Sequence, residues 1–256
     1  SAEDAANPVT AAINHPVGYV TQALLDWWYR RDLQNDQGLP AEIEPIFTRL
    51  CDTRRADFRH GRVLLAAHAI NLFLIDRPWF DQHLLPLFDW HRSTAEARAA
   101  WAGFFWSPRL VRSHLAAIKP ALLETARHYD EIGDHARQYA AFLTYASLDR
   151  GDTFSAEELR EAFRALPEEG LAEAASALAR GIEGAGEQRD SYWTRRVAPF
   201  WKDIWPKTAN LSPAIADDLF RVCIAAGRNF PDALATIRSW LAPVPYPSYL
   251  LHLLLE

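Results

Sequence analysis

The stretch "YWTRRVAPFWKDIWPK" (192–207) sets Tyr192, Trp193, Phe200, Trp201 and Trp205 within sixteen positions. So many rings make either a cage for a ligand or the inside of a fold. At about 100° per residue, Trp193, Val197, Phe200 and Ile204 share a narrow arc of a helix. Trp201 and Trp205 flank that arc one turn apart, and Tyr192 lies on its other side. A wide apolar face of this kind suits a helix packed between two neighbours. A cage would instead draw its aromatics from several segments around polar groups. The rings are therefore assigned to a core. Pro199 predicts a kink, and Pro206 ends the helix.

Outward from this stretch, the same periodicity covers almost the whole chain. Strand alternation and Asn-Gly or Asp-Gly hairpin turns are absent. In "HPVGYVTQALLDWWYRR" (15–31), Pro16 opens a helix, and Val17, Val20, Leu24, Trp27 and Trp28 fall on one face. "QNDQGLP" (34–40) is a loop. A short helix is predicted near 41–51 and a long one from Asp57 to Leu74. Asp76 caps the next, with Pro78 in its first turn. Ser93 with Glu96, and Ser155 with Glu158, have the spacing of capping boxes. Ser107-Pro108, Ser212-Pro213 and Phe230-Pro231 each mark a helix start. Gly133 followed by Asp134 marks a stop and restart.

The sum is an all-α fold of roughly twelve to fourteen short helices joined by short connections. Consecutive antiparallel pairs of that kind make an irregular α-solenoid, or helical superhelix, without a strict sequence repeat. Residues 1–15 read as a tail and 16–256 as one helical domain.

Composition narrows the function classes. The 256 residues are 49% hydrophobic and 23% charged, with a net charge of −6. This is an ordinary globular balance, and its sign makes nucleic acid an unlikely partner. Cys51 and Cys223 are far apart among apolar neighbours, which fits buried thiols in a reducing cytoplasm. The first residues carry no secretory signal pattern. The longest apolar run, "VLLAAHAINLFLI" (63–75), is too short to span a bilayer and reads as a buried helix. The sequence has no methionine and ends in mid-pattern with "YLLHLLLE". Together these suggest a piece of a longer protein.

No pattern carries chemistry. There is no H-E-x-x-H motif, paired C-x-x-C, phosphate-binding glycine loop or G-x-S-x-G elbow, so no catalytic residue, metal or cofactor is assigned. "HYDEIGDHARQY" (128–139) gathers His128, Asp130 and His135, the His/Asp cluster around which an enzyme site could assemble from scattered residues. Its plainer reading is a helix–helix turn. Arg55, Arg59 and Arg62 recur at turn spacing and predict a basic face for an acidic partner, a phosphate or RNA. Trp101 and Phe105, in "WAGFFWSPRL" (101–110), would line a partner groove if exposed, and otherwise belong to the core.

Five segments carry a resemblance: "AINHPVGYVTQALLDWW" (12–28), "RHGRVLLAAHAINLF" (59–73), "AWAGFFWSPRL" (100–110), "ARQYAAFLTYASLDRGDTF" (136–154) and "EGAGEQRDSYWTRRVAPFWKDIWPK" (183–207). Together they resemble the helical C-terminal region of large bacterial proteins whose N-terminal part is sirtuin-like. Proteins of that broad type are associated with anti-phage defence. The resemblance implies a domain of unknown function attached to an enzyme that cleaves a nicotinamide dinucleotide. The residues such cleavage needs are not in this chain. The expected function is that of a non-catalytic scaffold, which binds a protein partner or a neighbouring domain of its own chain.

Overall fold

The computed structural model describes residues 7–149, 151–207, 213–238 and 241. Among these residues there is no strand, and the fold is all-α. The terminal "YLLHLLLE" and Ser212 lie outside the described residues. The chain divides into two compact units, Ser1–Ala136 and Arg137–Glu256, where the sequence suggested one domain over 16–256.

The first unit begins inside the expected tail. Asn7 Oδ1 accepts from the Thr10 amide and Pro8 occupies the first turn, so α1 forms over Pro8–Ile13. Its Val9 and Ala12 are buried. Then come α2 (Pro16–Tyr29), α3 (Glu44–Leu50), α4 (Arg59–Ala67) and α5 (Ala69–Ile75). The long helix expected from Asp57 to Leu74 is broken at His68, whose φ of −106° and ψ of 15° leave the helical region. Asp76 caps α6 (Arg77–Trp79) through the Trp79 amide at 3.0 Å, as its position predicted. The last two helices of the unit are α7 (Thr94–Trp106) and α8 (Arg112–Glu124). Helix α8 starts four residues beyond Pro108, because Ser107–Val111 runs non-helically and Arg109 reaches back to Asn71 at 2.7 Å. Gly133, at φ 67°, makes the predicted break before Asp134.

The second unit holds α9 (Ala136–Leu148), α10 (Ala156–Ala165), α11 (Glu168–Gly184), α12 (Arg189–Tyr192), α13 (Ala198–Asp203), α14 (Pro213–Ala225) and α15 (Phe230–Ile237). Trp193, Val197, Phe200, Trp201, Ile204 and Trp205 are all buried, and Trp201 stacks on Trp205 with ring centres 4.5 Å apart. The aromatic stretch 192–207 is core.

The expected kink at Pro199 takes a specific form. Trp193–Val197 is a π turn, closed by the Ala198 amide on the Trp193 carbonyl. Proline has no N–H to offer the preceding turn and its ring crowds the carbonyl there, so the turn widens. The first unit contains the same device. Phe80–Leu84 is a π turn closed by the Leu85 amide on the Phe80 carbonyl, with Pro86 next. Aligning "WFDQHLLPLF" (79–88) with "YWTRRVAPFW" (192–201) matches four buried positions: Phe80 with Trp193, Leu84 with Val197, Leu87 with Phe200, and Phe88 with Trp201.

The surroundings of the two devices also correspond. In each unit a helix that precedes the π turn packs against one that follows it, α4 against α7 and α11 against α14. The short helix earlier in each unit buries the same spacing, Ile43–Phe47–Leu50 and Leu159–Phe163–Leu166. The two units thus repeat one arrangement, in which the proline of the aligned π-turn segments is the only identical residue.

Two glycines set close crossings in the first unit. A Cβ on Gly103 of α7 would stand 2.2 Å from the Val63 carbonyl oxygen of α4. A Cβ on Gly18 of α2 would stand 1.7 Å from the Ala12 carbonyl oxygen of α1. Both contacts are backbone to backbone, so neither neighbour can swing away.

Candidate functional site

The predicted basic face does not form. Arg62 is 1% exposed, and its guanidinium is fully engaged. Nε donates to Glu96 Oε2 at 2.7 Å and Nη2 to Oε1 at 3.0 Å. Nη1 holds the carbonyls of Leu50, Asp52 and Arg55 at 3.0 to 3.2 Å. Arg59 donates to Glu96 Oε1 through Nε and Nη2, at 2.9 and 2.7 Å. Arg55 points elsewhere, to Asp57 at 3.6 Å. Turn spacing puts three arginines on one arc, but that arc faces α7 and the loop after α3. A buried guanidinium requires a counter-charge and acceptors, and the fold supplies both.

Glu96 is the residue that sequence reading misplaced. Ser93 Oγ does accept from the Glu96 amide, at 3.3 Å, so half of the expected capping box exists. The Glu96 carboxylate, however, turns to the two arginines. Burial pushes its pKa up, but hydrogen bonds from Arg62 and Arg59 and their charges outweigh this and hold it below the usual carboxylate range. The other pair with this spacing, at the start of α10 in the second unit, shows the motif intact. Ser155 and Glu158 cap each other at 2.8 and 3.1 Å.

Two clefts flank this ion-pair centre. One, of about 320 Å³, is bordered by Cys51, Asp52, Gln82, His83, Arg92 and Glu96. Burial pushes the Cys51 thiol up to about 12 despite the opposing charge of Arg62, so the thiol stays protonated and unreactive. The other, of about 730 Å³, opens beside Arg59. Its border includes Arg98, Glu131 and the rings of His15 and His60, which stack with centres 3.9 Å apart. His15 Nδ1 accepts from the Val17 amide at 3.2 Å, which leaves its proton on Nε2.

The remaining predicted residues separate. Trp101 and Phe105 are buried and stack on each other at 5.3 Å, and the Trp101 indole donates to the Phe88 carbonyl at 3.1 Å. They form core and line no partner groove. His128 lies flat on Trp90, with centres 4.3 Å apart, and contacts Glu131 at 2.9 Å. Asp130 is exposed. His135 is half-buried, with an unbonded Nδ1, and burial lowers its pKa against the opposing effect of Asp134. No group of three or more His, Cys, Asp or Glu side chains among the described residues is placed to hold a metal ion.

The buried face of α2 is rotated from the one read in the sequence, which had Trp28 correctly inside and Val17 and Leu24 half-buried. Helix α2 buries Gly18, Thr21, Leu25 and Trp28. The arc chosen from sequence contains Val20 and Trp27, which are 61% and 42% exposed, and Tyr19 beside them is 60% exposed. Helix α1 approaches α2 at Gly18, where backbone contact is possible, and that selects the other face. The Arg31 guanidinium lies over the Trp27 ring at 3.9 Å. No described helix is long and apolar enough to cross a membrane. The chain matches no protein-family model, no curated protein and no solved structure.

Proposed function

We propose that this chain is a non-catalytic helical scaffold that recognises a protein surface, either a partner or a neighbouring domain of the same longer polypeptide. The observation that supports this reading is the outward arc of α2. Tyr19, Val20 and Trp27 are exposed on a helix whose other face, with Gly18, Thr21, Leu25 and Trp28, is anchored in the core. Aromatic residues on an ordered helix are the usual centre of a protein contact, because they bury much area at little entropic cost. The irregular superhelical stacking read from the sequence would extend such a surface. The resemblance to helical regions of sirtuin-like defence proteins suggests the setting, a bacterial cytoplasmic protein whose effector lies elsewhere in the chain.

Photo-crosslinking in cells tests the reading. A photoreactive residue placed at position 20 or 27 is expected to trap one discrete protein adduct, the same at both positions, and Tyr19→Asp is expected to abolish it. Adducts no more frequent than at an exposed position on α11, such as 168 or 169, would overturn the reading.

A further inference from the structure

We infer that the cleft bordered by Arg59, Arg98 and the stacked His15–His60 pair is a binding site for a small phosphate ester. This goes beyond the scaffold reading and does not depend on it. Three features converge on an oxyanion.

The first is charge. The border of the cleft carries Arg59 and Arg98 against Asp57 and Glu131, with the buried Arg62–Glu96 pair behind it. Both carboxylates on the rim are already engaged, Asp57 with Arg55 and Glu131 with His128.

The second is unmet donor capacity. Arg98 carries no carboxylate partner among the described residues, and its Nε is shut off from solvent without a hydrogen bond. The guanidinium thus stands on the border of the cleft without a counter-charge. Arg59 is held to Glu96 through Nε and Nη2, so its Nη1 is the nitrogen not used in that pair. The third feature is the start of α7. Thr94 and Ala95 border the cleft, and their first-turn amides have no carbonyl partner within the helix. A helix of this length also adds a partial positive charge at that end.

The donor count favours phosphate over carboxylate. The Arg98 guanidinium, Arg59 Nη1, two backbone amides and the His15 Nε2–H can serve three acceptor oxygens bearing close to two charges, more than a carboxylate needs. The rest of the border is apolar, from Pro8, Ala11, Val63 and Ala99. The volume lies within the range of small-molecule sites. The fitting ligand is a phosphomonoester with a compact apolar body.

Calorimetric titration of the whole chain with phenyl phosphate, benzoate and inorganic phosphate tests this inference. Phenyl phosphate is expected to bind at least about tenfold more tightly than benzoate, with inorganic phosphate weaker for lack of the apolar contact. Arg98→Gln is expected to weaken phenyl phosphate binding by about tenfold or more and leave the thermal midpoint unchanged. Arg98→Lys should recover part of the loss. Ala95→Trp fills the mouth from an exposed position and should abolish binding in a folded protein. Absence of phenyl phosphate binding, equal binding of benzoate, or binding indifferent to Arg98→Gln and Ala95→Trp would each overturn the assignment.

Discussion

Glu96 Oε2 stands 2.7 Å from Arg62 Nε, and neither side chain is more than 6% exposed. The pair ties α7 to α4, and through Arg62 Nη1 it also ties down the end of α3 and the loop after it. Removing one member leaves the other charged and buried. Glu96→Ala is expected to cost about 3–5 kcal/mol in denaturant unfolding. The double variant Glu96→Leu/Arg62→Met is expected to cost less than Glu96→Ala alone, because no orphan charge remains. A double variant at least as unstable as the single one would refute the idea that the counter-charge is the main role of Glu96.

The crossing of α4 and α7 makes a sharper demand. Gly103→Ala adds one carbon 2.2 Å from a main-chain oxygen that cannot rotate away. The helices must separate, so the substitution is expected to destabilise by about 1–3 kcal/mol or more, although alanine is the better helix former. Thermal unfolding of the variant checks this. A midpoint equal to or above that of the parent would contradict the close approach.

His114 provides a pH-dependent signature. It is fully buried among Phe73, Phe80 and Phe104, at ring distances of 5.4 to 5.6 Å, and neither ring nitrogen has a hydrogen-bond partner. Burial drives its pKa down from 6.5 to about 4. Below pH 6.5 the unfolded chain takes up a proton that the folded chain refuses. Stability is therefore intact above that pH, falls between about 6.5 and 4, and levels off below. The whole step is roughly 3 kcal/mol. Glu96 acts in a different window, losing its contribution only as pH falls below the ordinary carboxylate range. The difference in unfolding free energy between the parent and His114→Leu should thus slope between pH 6.5 and 4 and be flat above. A difference curve flat throughout would show that the imidazole meets a donor or water in the core.

Local grammar made much of this legible. The proline-led starts, the Asp76 cap, the Ser155–Glu158 box, the Gly133 break and the core role of the tryptophans depend on neighbours within a turn or two, and the sequence displays those neighbours. Glu96, Arg62 and the face of α2 depend on contacts with other helices. A capping glutamate and a buried counter-ion have the same spacing from a serine, and only the presence of Arg62 across the helix crossing decides between them. An arginine at the head of an apolar run reads as surface, because its acceptors, the carbonyls of residues 50, 52 and 55, are invisible until the loop folds over it. The recurrence of the π turn in the two units was hidden for a similar reason. Burial position is repeated, whereas side-chain identity is repeated only at proline.

Helix α2 permits a direct test of which arc packs, because adjacent tryptophans lie on opposite sides of the boundary. Trp28 is fully buried, 6.1 Å from Phe47 in edge-to-face contact, whereas Trp27 is 42% exposed with only Arg31 laid over it. Trp28→Ala is expected to cost about 3–5 kcal/mol through the cavity it leaves. Trp27→Ala forfeits an exposed cation–π contact and is expected to cost about 1 kcal/mol or less. The fluorescence of the two single variants supplies an independent readout: loss of Trp28 should remove a blue-shifted, quencher-resistant component, and loss of Trp27 a red-shifted, quenchable one. If the two substitutions prove equally destabilising, Trp27 is covered in solution by another surface of this protein, and the face with Tyr19 and Val20 would then be an internal contact, closed to any partner.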